Sequence, residues 1–335
     1  MYNEDVQSYL GLDIGGSKVA AVLIDSNMTV LHRAWSEGGL WGIDQVLDAA
    51  ARVVQNCRKT AELVGAHITG VGASLAGWLS PELGTAFAAN LGLEDVDITA
   101  ELSARLEMEV IIENDGNCGT LAEYFAGAAR GSHSAAFIAL GTGVGGGFIE
   151  QGRLILGSHG LAGEIGHMSL DPKGAPCPCG GRGCLDSLVG GSGLGIIANE
   201  LVRSYPDSFL ARNCEPGAAT AKDLANGADH GDKACADALR AAGRRIGQAV
   251  RILIPLLDPD VVVVGGSVMA GTARFLLPAI QDELAENAPL SRVRTDGPRI
   301  LIAQTGPYAA ALGAAINALH ASEGNNVADQ PRREE

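Results

Sequence analysis

No apolar stretch in this 335-residue chain reaches the run of about 18 that a membrane-spanning helix needs. The opening residues 1–7 are polar, and the apolar run behind them is interrupted at Asp13, Gly15 and Gly16, so no secretory leader is expected. The pattern G-x-x-x-x-G-K followed by Ser or Thr is absent, which excludes a P-loop. No Pro- or Ser-rich linker appears. Positive charge is scarce: 24 Lys and Arg face 39 Asp and Glu, a net −15 that repels nucleic acid and anionic lipid. With 47% apolar and only 19% charged residues, a disordered chain is excluded as well. Cysteine is sparse and odd in number, seven in all, and three crowd together as Cys177, Cys179 and Cys184. That spacing suits a metal better than a disulfide framework and points to a reducing, cytoplasmic compartment.

Glycine is what the chain has in excess. There are 46, close to twice the usual share of about 7%, without a collagen period. Strands are predicted over 9–14, 19–24 and 29–34, with Gly15, Gly16, Ser17 and Lys18 turning the first into the second. A helix is predicted over 42–63, strands over 68–74 and 110–113, and a helix over 118–129. The opening pattern then returns: a strand over 135–140, a glycine turn at Gly141, Thr142 and Gly143, a second strand, and a third at 153–156. A duplicated unit of this kind predicts two similar α/β lobes with a cleft between them. Beyond residue 190 helices are predicted at 193–205, 221–225, 233–257 and 308–320, with strands at 260–264 and 300–303. The expected division is a smaller lobe of 1–118 joined by a helix at 306–321, a larger lobe of 119–305, and a disordered tail at 322–335.

Three glycine clusters follow strands: Gly15 and Gly16 behind Asp13, Gly141 and Gly143 around Thr142, and Gly265 with Gly266. Such turns let backbone N–H groups approach a phosphate, and an acid at a strand end can face its metal ion. Singly, each also fits an ordinary hairpin or bulge; three together suit one nucleotide. Asp115 stands where a strand ends and a helix begins. On position alone it fits a helix N-cap; in a kinase it would accept the proton of an attacking hydroxyl. His167, Cys177, Cys179 and Cys184 form H-x9-C-x-C-x4-C. Three thiolates and an imidazole suit tetrahedral Zn²⁺ with no open position, hence a structural site around a loop at 167–184. Cys57, Cys118, Cys214 and Cys235 read as core or surface residues.

In these residues and their order the chain resembles the ROK family of bacterial sugar kinases and sugar-responsive repressors. The resemblance runs from about residue 10 to 318: LDIGGSK at 12–18, ENDGN at 113–117, LGTGVGGG at 140–147, AGEIGH at 162–167, CPCGGRGCLD at 177–186 and VVVVGGS at 261–267. It implies a two-lobed actin/hexokinase-like (ribonuclease H-like) α/β fold, ATP with Mg²⁺, a structural Zn²⁺, and phosphorylation of a hexose at its 6-hydroxyl. Glucose is the default sugar; N-acetylglucosamine or N-acetylmannosamine is the alternative. By position it makes Asp115 the catalytic base and sets Asn90, Asn114, Glu164, His167 and Asp186 among the sugar contacts. Asp13, Gly15, Gly16, Ser17, Lys18, Thr142, Gly143 and Gly266 line the nucleotide side. His167 is shared, one ring nitrogen on zinc and the other toward the sugar. A homodimer or homotetramer is implied too.

The departures from the family pattern gather on the sugar side. Asp186 stands where Glu is usual, Ala89 replaces the Pro before Asn90, and the loop from Ser74 to Trp78 lacks its Pro and gains a bulky Trp. Ser17 replaces Thr and keeps the hydroxyl. A different class, a non-catalytic sugar-sensing regulator, would need the winged-helix segment of the family's repressors before the first glycine motif. Twelve residues precede Asp13, the charge is wrong for DNA, and Asp115 is retained. An actin-like or acetate-kinase-like ATPase would need neither the cysteine loop nor the Glu164–His167 pair.

Overall fold

The computed structural model describes residues 6–80, 85–287, 297–325 and 327. Two compact units divide the chain: 1–135 with 147–163 and 304–335, and 136–146 with 164–303. The first unit's opening segment runs to residue 135, beyond the 118 expected for the smaller lobe. The reason is a helix, Asp115–Ala126, that packs along the helix Ala309–Ser322 and so belongs with it. Of the tail expected to be disordered, 326 and 328–335 lie outside the described residues. Val327 is buried, and its carbonyl accepts a hydrogen bond from the Leu154 amide at 2.9 Å.

In chain order the elements begin β1 (Val6–Gly15), β2 (Lys18–Asp25), β3 (Val30–Glu37), α1 (Ile43–Leu63) and β4 (Ala66–Leu75). Three short strands follow, β5 (Trp78–Ser80), β6 (Thr85–Ala88) and β7 (Leu93–Val96), then α2 (Ile98–Leu106), β8 (Val110–Asn114) and α3 (Asp115–Ala126). Next come β9 (Ser134–Leu140), β10 (Val144–Glu150) and β11 (Arg153–Leu154), and the helices α4 (Leu185–Val189), α5 (Gly191–Ser204), α6 (Phe209–Asn213), α7 (Ala221–Asp229) and α8 (Lys233–Leu257). The chain closes with β12 (Val261–Gly265), α9 (Gly266–Glu286), β13 (Arg299–Ile302) and α10 (Ala309–Ser322).

The sheets run β3-β2-β1-β4-β8 and β11-β10-β9-β12-β13. These are one pattern used twice: third, second and first strand of the repeat, then two further strands. β1 pairs antiparallel with β2 and parallel with β4, and β4 is parallel to β8. The predicted duplication is therefore a duplication of topology. The hairpin strands β5–β7 form a third sheet that, like α2 and α9, has no counterpart among the predicted elements.

Alternation along β1 decides what covers the first sheet. Leu10, Leu12 and Ile14 face one way and join Val46, Ala49, Ala50, Val53 and Val54 of α1 in one core. Each fully buried Leu, Ile or Val among them contributes about 1.5–3 kcal/mol. Tyr9 faces the other way, into a core with Ala311, Ala315 and Ile316 of α10. Gly11 shares that face because α10 lies against the strand: a Cβ on Gly11 would stand 1.9 Å from the Ala311 carbonyl oxygen, and one on Gly72 of β4 2.0 Å from that of Ala314. Part of the glycine excess thus serves close helix-on-sheet packing, away from any turn.

Candidate active site and metal centre

In the first unit the chemistry gathers at the carboxyl ends of the parallel strands, the usual place for a ligand in an open α/β sheet. Asp13, Ser74 and Glu113 are register partners across β1, β4 and β8, and Leu75 pairs with Asn114 one step on. The Ser74 hydroxyl donates to Asp13 Oδ1 at 3.1 Å. Burial raises the Asp13 carboxyl above its ordinary range, against the lowering pull of that bond and of the Lys18 charge. Behind Asp13 the turn closes with Gly15 paired to Lys18, which brings the expected nucleotide-side residues Gly15, Gly16, Ser17 and Lys18 together. A Cβ on Gly16 would come within 3.0 Å of the Asn90 carbonyl oxygen, so that glycine abuts the exposed turn carrying Asn90.

The start of α3 separates two roles that the sequence left open for Asp115. Asn114 is the N-cap: its Oδ1 accepts from the amides of Gly116 at 2.8 Å and Asn117 at 3.2 Å. Its Nδ2 donates to the Gly77 carbonyl at 3.1 Å, tying the cap to the turn before Trp78. Asp115 is the first helical residue, half-buried, with Oδ1 accepting from the Gly116 amide at 2.9 Å. The capping role that Asp115 fits on position alone is thus Asn114's, and the oxygen of Asn114, a residue expected among the sugar contacts, is engaged by the helix.

Glu113 was not among the residues expected in the site. Its Oε1 accepts from the Asn114 amide at 2.8 Å and from Asn117 Nδ2 at 2.9 Å, and burial pushes its carboxyl up. The Cys118 thiol is raised well above its usual value by burial and then by the charges of Glu113, Asp115 and Asp13. Three acids therefore surround one turn of α3. The available signal was position: Glu113 stands two residues before Asp115, at a strand end.

The second unit brings the other two glycine clusters side by side. Gly266 opens α9 at φ +92°, and a Cβ there would lie 2.3 Å from the Leu140 carbonyl oxygen at the end of β9. What was read as a turn closing a strand is the N-terminus of a 21-residue helix, whose free amides and dipole favour an anion. In the adjoining turn the Gly141 amide donates to the Gly143 carbonyl at 2.9 Å. The Gly141 and Thr142 carbonyls accept from the Gly191 and Ser192 amides, both at 2.9 Å. Among the described residues the Thr142 and Gly143 amides take no part in this bonding, which fits them to receive phosphate oxygens. Asp186, expected among the sugar contacts, has its Oδ1 on the Val144 amide at 2.7 Å.

Further along the same unit, His167, Cys177, Cys179 and Cys184 bring their ligand atoms within 4.8 Å of one another. Cys177 Sγ lies 3.7 Å from His167 Nδ1, and Cys179 Sγ 3.8 Å from Cys184 Sγ. A tetrahedral Zn²⁺ with Zn–S near 2.3 Å separates its ligand atoms by about 3.6–3.8 Å, so the four residues fit that ion. All four expected metal ligands are thus brought together. His167 turns Nδ1 to the thiols, and its Nε2 lies 3.8 Å from Glu164 Oε2.

The family model described as the ROK family matches residues 9–321. A glucokinase of Halalkalibacterium halodurans is 31% identical over 314 residues, covering 91% of this chain and 93% of that protein. An N-acetylmannosamine kinase of Yersinia pseudotuberculosis is 31% identical over 261 residues, covering 77% of this chain and 82% of its own length. Among solved structures, a ROK family glucokinase from Streptomyces griseus in complex with glucose and AMPPNP superposes with a TM-score of 0.80 at 28% identity, covering 93% of this chain and 99% of that one.

Proposed function

This chain belongs to the ROK family, its α/β fold is actin/hexokinase-like, and from that premise we propose that it transfers the γ-phosphoryl group of ATP to the 6-hydroxyl of glucose. The observation that carries the reading is the division of labour at the start of α3. Asn114 caps the helix, and the neighbouring Asp115 carboxylate has a place among the acids at the strand ends. Asp115 takes the proton of the attacking hydroxyl, which is worth about 10²–10⁴ in rate for a well-placed base. Asn90, Asn114 through its amide nitrogen, Glu164 and His167 hold sugar hydroxyls.

Gly15, Gly16, Ser17 and Lys18 serve the nucleotide side, as do Thr142, Gly143 and the Gly266 helix terminus. Asp13 would hold Mg²⁺, which when bound spreads the charge that develops on the phosphoryl oxygens. The Cys177, Cys179, Cys184 and His167 cluster would hold a structural Zn²⁺ and fix the segment that carries Glu164 and His167. It needs reduced thiols, which suits the cytoplasm. Assembly as a homodimer or homotetramer belongs to the same proposal and is read by sedimentation.

The test is a panel of initial rates with ATP and Mg²⁺ against glucose, N-acetylglucosamine, N-acetylmannosamine, mannose, fructose and allose. Glucose is expected to give the highest kcat/KM; no turnover with any of the six sinks the kinase reading. N-acetylmannosamine is the second reading, supported by the 31% identity to the Yersinia enzyme. A clear lead for that sugar would replace glucose with it.

A further inference from the structure

We propose that Asp186 is a positioning residue of the turn at 141–144, and that through α4 it couples the Cys3His loop to nucleotide affinity. The inference rests on the reading of that turn as the place where phosphate binds. Its geometry lies wholly within the second unit. Cys184, a proposed zinc ligand, is the residue that caps α4, and Asp186 lies in the first turn of that helix. The Leu185 amide between them donates to the Met168 carbonyl at 2.9 Å, next to His167. Two ligands of the cluster are thus one bond away from the base of α4.

From there the Asp186 carboxylate reaches the turn. Oδ1 accepts from the Val144 amide at 2.7 Å, and a Cβ on Gly143 would stand 2.5 Å from the same oxygen. Residue 143 is therefore held to glycine by Asp186, independently of any phosphate. On the opposite flank the Gly191 and Ser192 amides grip the Gly141 and Thr142 carbonyls. A Cβ on Gly190 would meet the Asp186 carbonyl oxygen at 2.7 Å and the Gly143 Cα at 3.2 Å. The turn is clamped from both sides, and the clamp leaves the Thr142 and Gly143 amides unspent. A preorganised pair of donors binds an anion better than a mobile pair, because the ordering cost is already met.

Charge makes the placement informative. A carboxylate beside a phosphate-binding turn repels the ligand, so its presence asks for a compensating role. Holding the Val144 amide is that role, and it needs an acceptor oxygen but no net charge. Asp186→Asn keeps the oxygen and removes the charge; Asp186→Ala removes both.

The experiment is isothermal titration of the full-length, zinc-loaded chain with AMPPNP and Mg²⁺, and separately with glucose. Wild-type protein, Asp186→Ala and Asp186→Asn are compared. Asp186→Ala is expected to weaken AMPPNP by about tenfold or more, the size of one lost charge-assisted hydrogen bond. Asp186→Asn should restore it to within about threefold. A loss of glucose affinity in both variants with AMPPNP unchanged overturns the inference and returns Asp186 to the sugar. Wild-type protein that fails to bind AMPPNP overturns the nucleotide reading itself.

The reciprocal effect needs no variant that might misfold. If the turn and the metal loop are coupled, nucleotide must strengthen metal binding as metal strengthens nucleotide. Saturating AMPPNP should therefore raise the equilibrium zinc affinity of wild-type protein in competition with a colorimetric chelator, and Asp186→Asn should behave alike. A zinc affinity indifferent to saturating AMPPNP counts against the coupling.

Discussion

The β1–β2 and β9–β10 hairpins occupy the same place in sheets of the same order, yet they are equipped differently. Two residues before its first glycine, the β1 turn has Asp13; two residues before Gly141, the β9 turn has Ala139. The first hairpin carries its acid in the strand, where Ser74 and Lys18 surround it. The second borrows a carboxylate from Asp186, 42 residues beyond Val144, by way of a helix that starts at a proposed zinc ligand. On the proposed reading, a duplicated scaffold is divided between two tasks: the first unit holds the acids, and the second holds a turn for phosphate whose supporting hydrogen bonds come from outside the hairpin.

The sharpest way to break that comparison is to disable the first unit's chemistry and ask whether the second unit's grip survives. Asp115→Asn should lower kcat by about 10³-fold, near 4 kcal/mol. Its AMPPNP and glucose affinities and its Tm should stay close to wild type. Turnover within tenfold of wild type removes Asp115 from the role of base.

Next in size is Gly11→Ala, which forces a methyl into the Ala311 carbonyl at 1.9 Å. Overpacking of this kind costs about 3 kcal/mol or more where backbone is the obstacle, and the strand displaced is the one that bears Asp13. Gly39→Ala, with nothing within 4 Å, is the control and should leave stability within about 0.5 kcal/mol. Equal Tm values for the two variants contradict the packing described for α10.

Cys184→Ser attacks the second unit. It should abolish stoichiometric zinc by metal analysis and lower stability by about 2 kcal/mol, while the chain's remaining thiols stay reduced. Full zinc content in that variant excludes the four-ligand site.

The smallest effect is a change of slope with pH. Burial raises the Glu113 carboxyl, so its contribution to stability is complete below the ordinary glutamate value and is lost as pH rises through the folded one. Gln has no proton to lose. Glu113→Gln should therefore gain on wild type in urea unfolding as pH climbs from about 4 to about 8. Parallel profiles for the two proteins deny Glu113 this role.

What could be read from the sequence follows what is local. Asp13 with its glycines, the Asn114–Asp115 pair and the cysteine spacing are short-range patterns, and the structure brings each together where its motif stands. The strands of both repeats were legible because apolar residues alternate or run continuously there. The start of α3 was set three residues late, since a capping Asn114 reads as part of a loop until its oxygen is seen on the Gly116 and Asn117 amides. α9 was missed because Gly265 and Gly266 look like a stop and Pro278 like a break, although both lie in or at the start of a continuous helix. The Asp186 bond to the Val144 amide was illegible for a different reason: its partner is backbone, and no side chain at Val144 announces it. Gly11 and Gly72 were unreadable as packing residues, because the α10 backbone they admit is some 240 to 300 residues away in the chain.

That last distance governs how the molecule can be made. One face of the first sheet is covered by α10, and Glu123 of α3 accepts from the amides of Gln304 and Thr305, at 2.9 and 2.8 Å, that lead into it. During synthesis the first unit's strands emerge early and wait with that face bare until the final helix leaves the ribosome. The 164–303 stretch of the second unit has no such wait. Contacts of such sequence separation are slow to form and leave apolar surface exposed meanwhile. A nascent chain stalled before residue 304 should therefore hold a protease-resistant second unit beside a protease-sensitive first one, and moving α10 to the front by circular permutation should shorten the interval.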